Sequence, residues 1–396
     1  MAASRLLLLL LCLSPAVAAD NDDPFQPAER DFLFDFSRAN FHAYQVAIRS
    51  HVRQQRVFLN PDRRDDELAM VLPFELRPPA NCEGPTRGIL LVHGILDTAF
   101  AMRDIGHRLQ AECFLVRAIL LPGHGTRPGE MIDVTADDWL EAVRFGIRSL
   151  KADVDDVYIG GFSLGGLLST ITMLEDDEIV AGVLFAPALK TTYEFLSRQA
   201  SWLSAIRTWL NTDEAPLPVR YQAMTTNAVA QVNILISRYR ELAEAGLKTP
   251  SYVVVSYDDL TVDGKGVARE FVERFHHPDS RLEVYAISGQ PPDNRSRVES
   301  VFDAEARIRD MAHVAIPFRE DNEIFGSESA FRDCGAVLPI IRRKDVRACE
   351  QASDNWRGEL TAGIPDDFKP MQRLTYNPMF DASMDRIVEF LNAVGD

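Results

Sequence analysis

Short apolar runs alternate with stretches of helical spacing along much of the chain. Runs that predict buried strands lie at residues 88–94, 113–121, 156–162, 179–186, 252–256 and 281–287. Apolar residues at helical spacing lie at residues 97–110, 139–150, 164–174, 266–275 and 384–394. Strands that alternate with helices predict an α/β fold in which helices cover both faces of a mostly parallel sheet.

The alternation of predicted strands and helices is interrupted between residues 190 and 248, where we expect no strand. Apolar residues recur there at helical spacing, namely Phe195, Trp202, Leu203, Ile206, Trp209 and Leu210. A turn-rich break follows at 211–218, and 227–243 is again helical in pattern. The pattern predicts a helical cap at 190–248, inserted between two parts of an α/β core at 88–190 and 249–396. The polar stretch 288–300 is predicted to be a loop.

The chain begins with the pattern of a secretory signal peptide, which we assign to residues 1–19. Arg5 precedes a leucine-rich run, and small residues at Ala16 and Ala18 predict cleavage near Ala18 or Ala19. A membrane anchor and a lipid anchor at Cys12 stay open as alternatives. The pattern favours a secreted or periplasmic protein with no stable membrane span after cleavage, because no later stretch is long and apolar enough to cross a bilayer. Residues 20–87 are interpreted as an N-terminal extension with a helix at 31–57 and a strand at 68–76.

Four cysteines remain after removal of the leader, and an even number in an exported chain predicts two disulfides. We favour Cys82–Cys113 and Cys334–Cys349, and four free thiols are the alternative. No spacing of Cys and His suggests zinc, and Asp263-Gly264 does not fit a calcium loop, so no metal is expected.

The formal net charge of −17 makes the chain acidic. Such a charge repels nucleic acid and anionic lipid, so we expect neither as a partner. The charge is explained by solubility alone.

Gly161-Phe-Ser163-Leu-Gly165 has the pattern G-x-S-x-G, between an apolar strand and a helix. A strand-to-helix turn of this kind strains the backbone at the serine, and the flanking glycines leave room for it. The turn predicts Ser163 as a nucleophile. It also predicts the Leu164 N–H as a donor to a developing oxyanion.

A second oxyanion donor is expected from the loop after the strand at 88–94. That loop contains His93, Gly94 and Ile95, and we choose the Ile95 N–H. His93 is interpreted as a structural histidine that supports the loop.

A serine nucleophile needs a base and an acid that orients the base. After such a turn they follow the serine in the order acid, then histidine. We choose Asp259 on the loop after the strand at 252–256, with Asp258 and Asp263 as alternatives. His313 is chosen as the base over His276 and His277, which lie before Pro278 at a helix end.

Three motifs, at residues 91–95, 121–126 and 161–165, resemble those of the α/β-hydrolase superfamily, in the branch of monoacylglycerol lipases, bacterial carboxylesterases and lysophospholipase-like proteins. The likeness extends over 88–190 and is fainter through 250–318. It implies the α/β-hydrolase fold, the triad and oxyanion donors chosen above, and a supporting role for His124. It also implies a cap over an acyl pocket. The long extension and the cysteine-containing stretch 331–360 depart from the short esterases, so the substrate stays open.

The sequence therefore predicts a serine esterase or lipase-like enzyme that needs no cofactor and cleaves a small-molecule ester. The apolar residues of its predicted cap suit either a lid for acyl chains or a helix that packs its apolar face on the domain. An acylglycerol or lysophospholipid substrate follows only from the first interpretation, and both stay open. An acyltransferase, an amide or C–C hydrolase, and a catalytically silent binding protein are the alternatives. The oligomeric state is not indicated.

Overall fold

The computed structural model describes residues 23–27, 34–36, 39–83, 86–192, 207–212, 217–335, 343–360 and 365–395. The predicted signal peptide and the cap residues Phe195, Trp202, Leu203 and Ile206 lie outside the described residues. The expected signal peptide, domain boundaries and lid therefore stay predictions.

An eight-stranded sheet forms the centre of the molecule. The strands of the described residues are β1 (Phe74–Leu76), β2 (Arg87–Val92), β3 (Phe114–Ala118), β4 (Asp156–Phe162), β5 (Ile179–Phe185), β6 (Trp209–Asn211), β7 (Met224–Thr225), β8 (Ser251–Ser256), β9 (Arg281–Tyr285), β10 (Ser296–Glu299), β11 (Trp356–Gly358) and β12 (Met371–Arg373). The strand order in the large sheet is β1-β3-β2-β4-β5-β8-β9-β10. Strand β1 pairs antiparallel with β3, whereas the other neighbours in the large sheet are parallel. The predicted mostly parallel sheet is confirmed.

Helices cover both faces of this sheet. The helices in the described part of the chain are α1 (Phe41–Gln55), α2 (Arg64–Val71), α3 (Arg103–Ala111), α4 (Ala136–Lys151), α5 (Leu164–Glu175), α6 (Thr226–Leu242), α7 (Gly264–Arg274), α8 (Arg343–Gln351) and α9 (Phe380–Gly395). Leu90 and Val92 of β2 join an apolar cluster that includes α4, α5 and α7. Ile89 and Leu91, which point the other way, join a second cluster that includes α3 and α9. Burial on both faces explains why these strands read as continuous apolar runs.

Parallel pairing brings the carboxyl ends of β2, β4, β5 and β8 to one edge of the sheet. Val92 pairs with Gly161, and Phe162 pairs with Phe185. The loops after these strands are therefore neighbours in space. The loop after β2 contains Ile95, the turn after β4 contains Ser163, and the loop after β8 contains Asp259.

Two expectations for the N-terminal extension were wrong in part. The first helix begins at Phe41 rather than at residue 31, because the Asn40 side chain caps it by accepting from the Ala43 N–H at 2.8 Å. The predicted strand at 68–76 is helix α2 followed by the three residues of β1. Glu67 is buried in α2 and forms an ion pair with Arg56. A prediction made from apolar positions could not detect that this charged residue is buried.

Two further expectations missed short strands. Between residues 190 and 248, β6 and β7 form an antiparallel pair, so Trp209 and Leu210 are extended rather than helical. Strand β10 lies within the stretch predicted as a loop and pairs in parallel with β9 at one end of the sheet. Strands this short and half exposed lack the apolar alternation on which the prediction depends.

Both predicted cysteine pairs lie at disulfide distance. The sulfur atoms of Cys82 and Cys113 are 1.98 Å apart, and those of Cys334 and Cys349 are 1.91 Å apart. The first pair ties the loop before β2 to the amino end of β3. The second joins Cys334 to Cys349 within α8.

A search of the described ranges for membrane spans finds that none of their helices combines the length and apolar character needed to cross a bilayer.

Candidate active site

Ser163 lies at the sharp turn between β4 and α5, with φ 54° and ψ −113°. This positive φ is rare for a residue with a side chain and costs free energy. The turn is held by backbone hydrogen bonds on both sides of the serine. Its N–H donates to Phe185 O at 2.9 Å, and its carbonyl accepts from the Ala188 N–H at 3.0 Å.

The glycines that flank Ser163 are required by close backbone contacts. A Cβ atom on Gly161 would lie 2.3 Å from the carbonyl carbon of Gly165. A Cβ atom on Gly165 would lie 2.0 Å from Val92 O in the neighbouring strand. The spacing G-x-S-x-G therefore reflects how closely α5 approaches β2 and β4 at this point.

The structure brings Ser163, His313 and Asp259 together from three separate loops. His313 Nε2 lies 3.0 Å from Ser163 Oγ, and His313 Nδ1 lies 2.6 Å from Asp259 Oδ2. All three residues are buried, at 4%, 4% and 6% exposure. A carboxylate can only accept, so the imidazole Nδ1–H donates to Asp259 and leaves Nε2 free to accept from the serine hydroxyl.

The carboxylate of Asp259 is oriented by its own loop. Its Oδ1 accepts from the N–H groups of Thr261 and Val262 at 2.7 and 2.9 Å. The alternatives lie elsewhere: Asp263 caps α7 by accepting from the Gly266 N–H, and Asp258 faces Arg309. Of the three aspartates considered, Asp259 is the one that contacts His313.

His276 and His277 do not approach the serine. His276 is exposed at the end of α7, and its ring lies against Glu273 O. His277 lies 3.8 Å from Asp279 at the surface.

Ser256, at the carboxyl end of β8, joins the two loops that contain the acid and the histidine. Its hydroxyl donates to Met311 O at 2.7 Å and accepts from the Asp258 N–H at 3.2 Å. Because Ser256 is fully buried, this link holds the two loops at a fixed separation.

The two backbone groups chosen as oxyanion donors have no acceptor among the described residues. The Leu164 N–H stands at the first position of α5, where the helix dipole is positive. Ile95 lies in the loop after β2, and β2 is the neighbour of β4 in the sheet. A free N–H directly after the serine suits a site that stabilises a negative oxygen, and the choice of Ile95 as the second donor stays a prediction.

His93 and His124 form a buried support behind this loop. His93 Nδ1 lies 2.8 Å from Gly94 O. His93 Nε2 accepts a hydrogen bond from the Leu121 N–H at 3.0 Å. Burial, together with the adjacent His124, lowers the pKa of His93 well below its ordinary value. Burial also lowers the pKa of His124 to about 4. Both rings therefore stay neutral near pH 7, and neither contacts Ser163.

Sequence reasoning missed two charged residues near the oxyanion loop. The Asp97 side chain is 7% exposed, and its Oδ1 lies 3.6 Å from Arg220 Nε. Burial raises the pKa of Asp97, while Arg220 and His313 oppose that rise. The position of Asp97 four residues after His93 was the available signal, whereas nothing in the pattern pointed to Arg220.

The described ranges contain no group of three His, Cys, Asp or Glu side chains placed to hold a metal ion. The expectation that the chemistry uses no metal or cofactor stays a prediction.

Comparisons with known proteins find similar chains of known name. The chain is 33% identical over 101 residues to a thermostable monoacylglycerol lipase of Bacillus sp. (strain H-257) and 29% identical over 92 residues to a carboxylesterase of Bacillus subtilis (strain 168). These matches cover 26% and 23% of this chain, and they span only 40% and 37% of the relatives' lengths.

Solved structures of similar fold include a monoacylglycerol lipase of Paleococcus ferrophilus, at 22% identity and a TM-score of 0.45. That match covers 54% of this chain and 87% of the other. Another is Est1E from Butyrivibrio proteoclasticus with bound ferulic acid, at 17% identity and a TM-score of 0.43, covering 58% and 84%. The model of the alpha/beta hydrolase family matches residues 89–325, more than half of the sequence. The chain belongs to the alpha/beta hydrolase family.

Proposed function

We propose that this protein is a serine hydrolase that cleaves carboxylic esters through an acyl-enzyme. One observation carries the proposal: a buried histidine lies within hydrogen-bond distance of both a serine hydroxyl and a carboxylate, at 3.0 and 2.6 Å. Similarity to a lipase and a carboxylesterase supports an ester as the substrate.

In the proposed acylation step, Ser163 Oγ attacks the ester carbonyl carbon while His313 Nε2 takes the hydroxyl proton. The carbonyl oxygen becomes an oxyanion that accepts from the Ile95 and Leu164 N–H groups. The C–O bond to the alcohol then breaks, and His313 returns the proton to the departing alkoxide. Asp259 stabilises the imidazolium throughout by accepting from Nδ1–H.

In the proposed deacylation step, water takes the place of the alcohol. His313 removes a proton from the water, whose oxygen attacks the acyl carbon. Collapse of the second tetrahedral intermediate breaks the bond to Ser163 Oγ, which regains its proton from the histidine. The products are a carboxylic acid and the free enzyme.

Labelling with a fluorophosphonate tests the nucleophile, since this probe phosphonylates activated serines. We expect wild-type protein to be labelled and Ser163→Ala not to be. Ser169→Ala is the matched control, because Ser169 is fully buried in α5 and its hydroxyl has no partner in the described structure. Folded wild-type protein that takes no label would contradict the proposal and favour a silent binding protein.

Turnover of p-nitrophenyl esters of increasing chain length tests the substrate class. Similarity to a monoacylglycerol lipase supports an acylglycerol among the candidate substrates. Turnover that rises with the length of the acyl chain would strengthen that candidate. Mass analysis of the products separates hydrolysis from acyl transfer, because transfer to an added alcohol yields a new ester in place of the acid.

We also propose that the protein is exported. The two disulfide-distance cysteine pairs support an oxidising compartment, since such bonds are rare in the reducing cytosol. Recovery of the protein from a cytosolic fraction, with residue 1 retained, would count against export.

A further inference from the structure

The loop that ends at His313 is held by a segment that lies beyond the residues matched by the family model, which ends at residue 325. Strand β11 pairs in parallel with β12 on one side and meets residue 308 on the other. The Arg309 N–H donates to Arg357 O at 2.8 Å, and the Arg357 N–H donates to Arg307 O at 2.7 Å. The chain entering the histidine loop is therefore tied to β11.

Glu359, directly after β11, contacts the backbone of His313. Its Oε2 accepts from the His313 N–H at 3.2 Å. Its Oε1 accepts from Arg373 Nε at 2.9 Å and from the Leu360 N–H at 3.2 Å. Glu359 is 1% exposed, so its orientation depends on these contacts rather than on water.

Arg373 connects Glu359 to the segment closed by the second disulfide. The Arg373 guanidinium lies 3.2 Å from Asp333 Oδ2. The backbone N–H of Arg373 donates to the backbone carbonyl of Asp333 at 2.7 Å. Burial opposes the charge on Arg373, but the carboxylates of Asp333 and Glu359 outweigh burial and raise the pKa of Arg373 above its ordinary value. Asp333 directly precedes Cys334, so contacts run from this disulfide to the histidine loop.

Asp310 provides a second connection between Glu359 and the same loop. The Glu359 N–H donates to Asp310 Oδ1 at 2.5 Å, and Arg309 Nη2 donates to Glu359 O at 3.4 Å. Asp310 lies three residues before His313 and is 1% exposed. Glu359 thus contacts the histidine loop through both its side chain and its backbone.

We propose that Glu359 is a positioning residue for the proposed reaction: held by Arg373, it fixes the backbone of His313 so that the imidazole meets Ser163 and Asp259. This inference rests on the proposed function. It implies that Glu359, Arg373 and Asp333 affect the catalytic rate without contacting substrate.

Glu359→Gln tests the proposal with little change in size. Glutamine has one acceptor oxygen, so its NH2 group must face either the His313 N–H or the donors of Arg373 and Leu360. We expect kcat and the rate of fluorophosphonate labelling to fall by about 10², since a shift of roughly 1 Å at a reacting group has an effect of that size. KM should change little.

Glu283→Gln is the matched control. Glu283 is also fully buried and ion-paired, with Arg386 at 2.6 Å, but it lies within β9 and contacts Tyr252 instead of the proposed triad. We expect the Tm of Glu283→Gln to fall about as much as that of Glu359→Gln. Its kcat should stay within about twofold of wild type, because Glu283 does not contact the proposed triad and acts independently of it. Equal losses of kcat in the two variants would overturn the positioning role.

A His313→Ala background separates positioning from general damage. If Glu359 acts through His313, the double variant of Glu359→Gln and His313→Ala should keep a residual rate within about twofold of that of His313→Ala alone. The reason is that the effects of substituting residues that act as a unit are not additive. A further fall of about 10² there would overturn the inference. Absence of labelling and turnover in wild type would instead refute the proposed function.

Asp333→Asn decides the matter if Glu359→Gln does not fold. Asp333 is at the outer end of the network, with its side chain 15% exposed. A fall in kcat of about threefold or more supports the proposal, and an unchanged kcat overturns it.

Discussion

The turn at Ser163 and the loop at His313 meet in one site, but they are held in different ways. The serine turn is fixed by close backbone contacts, of Gly161 with Gly165 and of Gly165 with the neighbouring strand β2. The histidine loop contacts the buried carboxylate of Glu359, which is 46 residues further along the chain. One half of the candidate site is set by close backbone packing in the central sheet and the other by buried charges from a segment outside that sheet.

This difference has consequences for how each half responds to change. Backbone contacts below 3 Å allow no substitution without movement of the main chain. Buried ion pairs depend on both partners and on exclusion of water, so they can be weakened one link at a time. We therefore expect a single substitution at the serine turn to have a large effect, and effects of graded size along the contacts that hold the histidine loop.

The largest expected effect in this comparison is that of Asp259→Asn. The variant removes the carboxylate that selects the imidazole tautomer, and kcat for ester hydrolysis should fall by about 10⁴. Asp263→Asn is the control, since Asn caps a helix about as well as Asp and Asp263 lies at the start of α7. Equal activity in the two variants would remove Asp259 from the proposed triad.

Gly165→Ala tests the steric half of the comparison. The added Cβ would meet Val92 O, so we expect a loss of stability of about 1–3 kcal/mol and a fall in labelling of about 10². Gly335→Ala is matched to it, because a Cβ there meets no atom of the described residues within 4 Å. Thermal unfolding and labelling rates provide the measurements, and normal labelling of Gly165→Ala would show that the turn can relax.

The two disulfides test the distant half. Replacement of either pair by serine should lower stability by about 2–4 kcal/mol. Only the loss of Cys334–Cys349 should also lower kcat, by about tenfold, since Asp333 precedes Cys334 while Cys113 lies at the amino end of β3, away from the site. Parallel losses of kcat in both double variants would break the proposed link to His313.

The same contrast explains what the sequence could predict. The parallel sheet and the serine turn follow from apolar runs and glycine spacing, which are local signals. Asp259 and His313 were chosen by their order after Ser163, and the structure places His313 beside Ser163 and Asp259 beside His313. Arg220, Glu359 and Arg373 act through contacts between distant segments, so no pattern along the chain pointed to them. The short strands β6 and β10 were missed for a related reason, because neighbours in the fold rather than apolar alternation define them.

The smallest expected effect concerns stability in mild acid, where the two halves should respond with opposite sign. Burial lowers the pKa of His124 to about 4, so the unfolded chain binds the proton more readily and the contribution of His124 to stability is lost as pH falls below about 6.5. Between pH 7 and 5.5 this loss is about 1 kcal/mol. Near His313, burial raises the pKa of Asp310 to about 6, so the folded state binds the proton more readily there. The contribution of Asp310 to stability therefore rises as pH falls through about 6.

Urea unfolding at pH 7 and 5.5 measures both contributions. His124→Gln should reduce the acid-induced loss of stability, because a neutral amide replaces the ring whose protonation opposes folding. Asp310→Asn should increase that loss, because the opposing gain disappears. If both variants lose stability in parallel with wild type, neither group controls the pH dependence, and the two halves of the site do not differ in their response to acid. If only His124→Gln changes the slope, the charged network around Glu359 binds no proton on folding in this range. Asp310 would then be held ionised by Arg309, which lies 2.5 Å from it.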